Sequence, residues 1–523
     1  MPTSWGSETE TSSAREPMQG GKPFDNIFVK GIDPAFDRPY GRPHPTGDGG
    51  HVTDLHYLSA TEVLSAFRAR ELSPVEVYDA VSARADAVEP VVNCLLERDH
   101  EDFRAHALAA AERYARGEPA GPLDGLPVAL KEEQPIAGRS LRQGSLLTEG
   151  YVPDETHPVA ERVYAAGAIV HARTTTPEFS CAAFTHSELW GITRNPWNPD
   201  WTPGGSSGGS GAALASGTAY LASGSDIGGS IRIPASFCGV VGFKAPYGRV
   251  PAMAPWNLDT YCHDGAMGRT VADVALLHNV IQGQHPFDHV SLPAAPIPDE
   301  LGDVRGMRVA LAVTLGDLPV EPEVEANTRA FADALKAAGA VVDEVTVAIS
   351  REALQEAALV HFGSIMGPSM AELGDPQDPR FMAYTRQFLE LSTSAFARTG
   401  PYKGMTAEAE IQLALARVLV DHDALICPTV GGHGFRAGEE YRDGIDVAGT
   451  HLDLYLFACQ TPVFNVASRH PVLSVPSGLG PNGVPTGVQV VGRPYDDVTA
   501  FHVAAAAERE LGLWHDPAWR PAL

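Results

Sequence analysis

From about residue 53 onward, amphipathic helical stretches alternate with short apolar runs. Ser59-Ala-Thr-Glu62 and Ser73-Pro-Val-Glu76 read as capping boxes: the serine hydroxyl takes an amide at the helix start and the glutamate reaches back to the serine amide. Pro74 stands at the first helical position, where its missing N–H costs nothing. Behind it Val77, Tyr78, Val81, Ala85 and Val88 recur at helical spacing, and Pro90 predicts the end of that helix. A further helix is predicted over 101–116, closed by Gly117. Leu126-Pro-Val-Ala-Leu130 is an apolar run entered through Gly125; it reads as a buried strand with Lys131 at its end. A helix from about 158 leads through Gly167 to a strand over 168–172. The pairing returns as helix 270–281, strand 308–312, helix 323–338 and strand 340–345. Strands at 423–427 and 471–475 and a helix near 499–511 close the pattern. This alternation predicts an α/β fold: one large domain with a mixed, mostly parallel central sheet covered by helices on both faces.

The first fifty residues do not share the pattern. They are rich in Gly, Pro, Ser, Thr and Asp and read as a flexible N-terminal extension, although Phe24-Asp-Asn-Ile-Phe-Val29 could dock locally. The ordered domain is expected over 51–523. Within it 285–420 is the least regular part and is expected to be variable and to shape the substrate site. Of 523 residues 44% are hydrophobic, enough for a large packed core. The formal net charge of −27 argues against binding nucleic acid or anionic membrane, since both repel an acidic chain. Six scattered cysteines form no CxxC pair, which argues against zinc and fits a reducing cytosol. No metal and no cofactor is expected, and the chain is read as cytoplasmic.

Chemistry concentrates in Thr202-Pro-Gly-Gly-Ser-Ser-Gly-Gly-Ser-Gly211 and Gly224-Ser-Asp-Ile-Gly-Gly-Ser-Ile-Arg-Ile-Pro234. Glycine lets successive backbone amides face a ligand, a nest for negative charge. A phosphate loop would need Gly-Lys-Ser/Thr, which the chain lacks. Two frames match the GxSxG elbow, through Ser206 and through Ser207. An elbow must follow a buried strand, however, and Pro196, Pro199 and Pro203 precede it.

These two loops resemble, almost letter for letter, the signature region of the amidase signature family of serine hydrolases. The likeness extends to Gly125-Leu-Pro-Val-Ala-Leu-Lys131, Phe237-Cys-Gly-Val-Val-Gly-Phe-Lys244, Gly268-Arg-Thr-Val-Ala-Asp273, Pro471–Pro476 and Gly487–Gly492. It covers roughly residues 52–512 and is weak over 285–420. It implies Ser230 as nucleophile, Ser206 as a bridging serine held by a cis peptide bond, and Lys131 as base. It also implies an oxyanion hole from the amides of Ile227, Gly228, Gly229 and Ser230. Ser207, Ser225, Asp226 and Arg232 are expected to brace the loops by hydrogen bonds and an ion pair. Two positions depart from the common pattern: Glu132-Glu133 follows the lysine where many members have Asp-Asn, and Asp264-Gly-Ala-Met267 stands where Gly-Pro is usual.

Physical chemistry supports the same roles. A serine hydroxyl needs a neighbouring base to attack a carbonyl. A lysine serves only when neutral, and burial disfavours its charged form. The expected activity is therefore hydrolysis of a linear C–N bond in a small amide, anilide or carbamate. Esters and urethanes are served by the same acyl-enzyme. The alternative within the family is the amidase subunit of a tRNA-dependent amidotransferase, which hands ammonia to a partner; a third reading is a scaffold with a dead site. Phe179, Cys181, Phe184 and Trp201 are candidates for a substrate pocket, with Tyr384, Tyr402 and His361 as weaker ones. Family members often pair as homodimers, and nothing in this sequence marks an interface.

Overall fold

The computed structural model describes residues 55–523, so the leader expected over 1–50 lies outside the described residues. Both capping boxes form, opening helices Ala60–Ala69 and Pro74–Val92. The second runs two residues past Pro90 before Asn93 ends it in a left-handed conformation. Proline loses only one backbone bond there, and burial of Val88 and Val92 one turn apart holds the last turn. The helix His100–Arg116 ends at Gly117 as the sequence predicts.

Eleven strands form the large sheet: β1 (Leu95–Leu96), β2 (Pro127–Lys131), β3 (Ile169–Thr174), β4 (Leu221–Asp226), β5 (Val241–Lys244), β6 (His263–Gly268), β7 (Arg308–Leu311), β8 (Val341–Glu344), β9 (Ala424–Pro428), β10 (Val472–Leu479) and β11 (Pro485–Gly492). Their spatial order is β1-β3-β2-β4-β6-β5-β10-β11-β9-β7-β8. The sheet is mixed, as expected, but its parallel share is smaller than helix–strand alternation suggests. Parallel pairing is confined to the flanks, β3/β2/β4 and β9/β7/β8. The middle is antiparallel: β6 runs against β4 and β5, β10 against β5 and β11, and β11 against β9, with a tight turn joining β10 to β11.

The period-2 alternation of each strand divides the interior into layers. Val128, Leu130, Leu221, Val309, Ile426, Leu473 and Val490 face a core completed by Phe67, Val274, Phe331 and Phe501. Ala310, Leu425, Val472 and Val491 face another, completed by Leu354, Phe362, Leu389 and Leu415. Ala129 and Ala222 point into a third, built of the small residues of helices Gly208–Ala215 and Arg232–Cys238. The segment 285–420 is more regular than expected. It carries helices Pro322–Ala337, Arg351–Ser364, Ala383–Thr399 and Pro401–Leu419, the last three packed on one another over the sheet.

One core group makes folding depend on pH. Asp273, fully buried near the start of helix Val271–Ile281, accepts the amide of Thr61 through Oδ1, while Oδ2 has no partner. Burial, opposed by the Arg269 charge and by hydrogen bonds, pushes its carboxyl from 3.8 up to about 6. An acid raised on folding stabilises fully below its unfolded value, and that contribution is lost as pH rises through the folded one. Asp273→Asn mimics the neutral carboxyl. At pH 7 it should be more stable than the parent by about 2 kcal/mol in denaturant titrations, with the gap closing near pH 4.

Candidate active site

The carboxyl ends of the adjacent parallel strands β2 and β4 deliver the site. Register pairs Val128 with Leu221 and Ala129 with Ala222, which brings Lys131 level with the end of β4. Lys131 is fully buried, and its Nζ donates to Ser206 Oγ at 2.7 Å and Ser225 Oγ at 2.7 Å. It also pairs with Glu133 Oε2 at 2.7 Å. Its backbone amide donates to Ser223 Oγ, which in turn donates to Gln134 Oε1. Gln134 Nε2 reaches Asp264 Oδ1 at 2.6 Å, and Asp264 stands 3.4 Å from His157. The unusual Asp264 thus becomes a buried anchor on β6 for the turn after Lys131.

Ser206, also fully buried, follows Gly205 through a cis peptide bond, as the resemblance implies. Gly205 has no room for a side chain: a Cβ would stand 2.5 Å from the Phe184 carbonyl oxygen and 2.6 Å from that of Ala182. The Gly-rich stretch then enters helix Gly208–Ala215 without a preceding strand, so it is not an elbow.

Ser230 lies in the turn between β4 and helix Arg232–Cys238. It is 7% exposed and lines a cavity of about 90 Å³. The amide of Ser207 donates to the Ser230 carbonyl at 3.1 Å and locks the two loops together. Ser207 Oγ donates to the Ser225 carbonyl and accepts the Ser225 amide. Gly229 has φ +124°, and a Cβ there would overlap Thr461 Oγ1.

Asp226 organises this turn. Oδ1 accepts the Gly229 amide at 2.9 Å, and Oδ2 accepts the Ile231 amide at 3.2 Å. Arg232 closes a fully buried pair on both oxygens, at 2.7 and 3.0 Å. The guanidinium is further held by Gln489, Asn465 and the Thr461 carbonyl. Burial alone would raise the Asp226 carboxyl, but Arg232 and Asn465 outweigh it and hold the group well below the usual carboxylate range. Ser207, Asp226 and Arg232 thus hold the two loops by hydrogen bonds and an ion pair. In this conformation the N–H of Gly229, one of the expected oxyanion donors, is engaged with Asp226. Ser225, expected to brace the loops, also touches the lysine directly.

Cys181, Ile227, Gly228 and Tyr384 line the Ser230 cavity. So do Phe362, Met366, Phe388, Leu391, Leu454 and Leu456, which no local signal marks out, since the helices and turn that carry them meet the site only in the fold. A second cavity of about 400 Å³ reaches Ser206 and Ser225; Glu133, Asp154, Glu155, His157 and Phe179 lie along it. Two of the other candidates pack behind or away from these walls. Phe184 is fully buried against His186, Tyr384 and Tyr455. Trp201 lies under the Arg436 guanidinium at 4.4 Å. His361 stacks on Tyr261 and pairs with Asp259 at 2.6 Å, and Tyr402 is 82% exposed on the outer helix.

A family model described as Amidase matches residues 76–501. The chain belongs to the amidase signature family. A similar solved structure is a bacterial aryl acylamidase of the amidase signature enzymes, 26% identical with TM-score 0.81, covering 90% of this chain and 100% of that one. Another is 6-aminohexanoate cyclic dimer hydrolase with substrate, 28% identical with TM-score 0.76, covering 89% and 99%. Among curated relatives, a glutamyl-tRNA(Gln) amidotransferase subunit of Chloroflexus aurantiacus is 34% identical over 494 residues, 89% of this chain and 98% of the relative. The corresponding subunit of Thermosynechococcus vestitus is 34% identical over 477 residues, 85% and 96%. This amidase-family chain is thus an enzyme of C–N bond hydrolysis, and among the described residues no helix is long and apolar enough to cross a membrane.

Proposed function

We propose that this amidase hydrolyses an apolar amide, anilide or carbamate through an acyl-enzyme on Ser230. The observation that carries the reading is the Lys131–Ser206 contact at 2.7 Å, buried beside the apolar cavity that Ser230 lines. As Ser230 Oγ bonds to the carbonyl carbon, its proton passes to Ser206 Oγ and the Ser206 proton passes to Lys131 Nζ. When the tetrahedral adduct collapses, Ser206 gives a proton to the leaving nitrogen and regains one from Lys131, and the C–N bond breaks. Water then releases the acyl group by the same path. The amides of Ile227, Gly228 and Ser230 serve as oxyanion donors, each worth about 3 kcal/mol to the transition state.

The Ser230 cavity points to an apolar acyl group, and residues 285–420 shape it through Leu359, Phe362, Met366, Tyr384 and Phe388. The similarity to an aryl acylamidase supports this substrate class. A second reading is favoured by the curated relatives: a glutaminase subunit of a tRNA-dependent amidotransferase. Against it, neither cavity presents a Lys or Arg side chain to take the α-carboxylate of glutamine. The purified chain should be assayed on a panel of anilides, alkyl amides, carbamates, esters and glutamine, with companion subunits sought by pull-down. Cleavage of an apolar amide at about 100-fold higher kcat/KM than glutamine is expected, a gap of about 3 kcal/mol. A glutamine preference with co-purifying subunits would establish the second reading instead.

A further inference from the structure

Glu133 stands two residues beyond Lys131. Its Oε2 lies 2.7 Å from Lys131 Nζ and accepts the hydroxyls of Ser225, at 3.0 Å, and of Ser180. We propose that Glu133 is a positioning residue that sets the direction of proton transfer at Lys131; the inference rests on the reading of Lys131 as the base.

The ammonium has three N–H bonds and three acceptors at hand, Ser206, Ser225 and Glu133. A neutral amine keeps two N–H bonds and one lone pair, and its partners decide where the lone pair points. An ionised carboxylate only accepts, so an N–H must face Glu133. Ser225 spends its own O–H on Glu133, so toward the amine it too can only accept. Of the three partners, Ser206 alone retains an O–H to offer. Glu133, acting directly and through Ser225, therefore aims the lone pair at Ser206, the group from which the base must take a proton.

The same carboxylate brings a charge. The remaining charged and titratable groups around the amine have other engagements or lie farther off. Asp264 is bound by Gln134 and faces His157, and Asp226 is paired with Arg232. Glu132 turns to the amides of Arg142 and Gln143, Glu178 to Ser145 and the Met382 amide, and Cys262 is pushed up by burial and by the carboxylates around it. Removing the Glu133 charge thus leaves no other carboxylate in contact with the amine among the described residues.

The test compares kcat and KM of the full chain, Glu133→Gln, Glu133→Ala and Ser230→Ala on 4-nitroacetanilide or the panel's fastest amide. Glu133→Gln keeps an accepting oxygen for Ser225 and the amine, so its kcat should stay within about tenfold of the parent. Glu133→Ala frees Ser225 to rotate and leaves the lone pair unaimed, and its kcat should fall about 100-fold with KM nearly unchanged. Should the Ala variant fold poorly, Glu133→Met, which fills the same space without an acceptor, takes its place. A folded Ala or Met variant within about threefold of the parental kcat, or a Gln variant as slow as the Ala variant, overturns the proposal. Turnover by Ser230→Ala would bring down the assignment of the site itself; an inactive Ser230→Ala beside a fully active Glu133→Ala overturns this inference alone.

Discussion

Ser230→Ala should lower kcat on the best amide by at least about 10⁴-fold, because it removes the atom that bonds to the acyl carbon while leaving the cavity and its backbone donors in place. The substitution deletes one oxygen at the cavity wall, so the fold should be unchanged by circular dichroism and thermal melting. Lys131→Ala should be equally inactive, and the double variant no worse, since groups acting on one proton path do not contribute additively. The two losses differ in their structural cost. Without Lys131 the Glu133 carboxylate keeps only Ser225 and Ser180 as partners, so that variant should also be less stable. Mass spectrometry after mixing with a slow ester should show the added acyl mass on the parent chain and none on Ser230→Ala. Retention of more than a tenth of parental turnover by Ser230→Ala would sink the assignment.

The residues of this site are legible in the sequence unequally, and the reason is the range of the interactions. Lys131, Ser206 and Ser230 are marked by long local motifs, so each can be named from its own neighbourhood. That they share one site cannot be read locally, since Lys131 meets Ser206 across 75 positions and Ser225 across 94. Glu133 reads only as a departure from pattern, because its meaning lies in contacts with Ser225 and Ser180. Capping boxes close within four residues and are legible locally. Strand direction is not, since a local period is the same for parallel and antiparallel strands. Helix Gly208–Ala215 is hidden because its glycines and serine read as loop, and helix Arg232–Cys238 because it is short and carries Pro234. They are helical where small residues let them press close to each other: a Cβ on Gly211 would lie 3.0 Å from Cys238 Sγ. Phe184 sits near the signature loops in sequence, yet packs behind the cavity wall; nearness along the chain does not say which side of a wall a ring takes.

Arg232→Met should destabilise the protein by about 3–5 kcal/mol at pH 7, since it strands the Asp226 carboxylate in a fully buried place. Methionine fills much of the space but returns no side-chain donor, and Asp226 is left with the amides of Gly229, Ile231 and position 232 and with Asn465. The pH dependence has a definite sign. With Arg232 present, the depressed carboxyl contributes stability above its unfolded value near 3.8, lost as pH falls through the lower folded value. Without Arg232, burial raises the same carboxyl, and the variant loses stability as pH climbs. The gap between parent and variant should therefore be smallest near pH 3 and widen toward pH 7, as measured by denaturant midpoints at each pH. Adding Asp226→Asn should recover part of the loss, because the stranded charge rather than the missing contact is the larger cost. It should not recover catalysis. The Asp226 oxygens hold the amides on both sides of Ser230, so a variant that regains stability should still hydrolyse amides slowly, and a double variant restored in both would show that the pair supports the fold without shaping the turn.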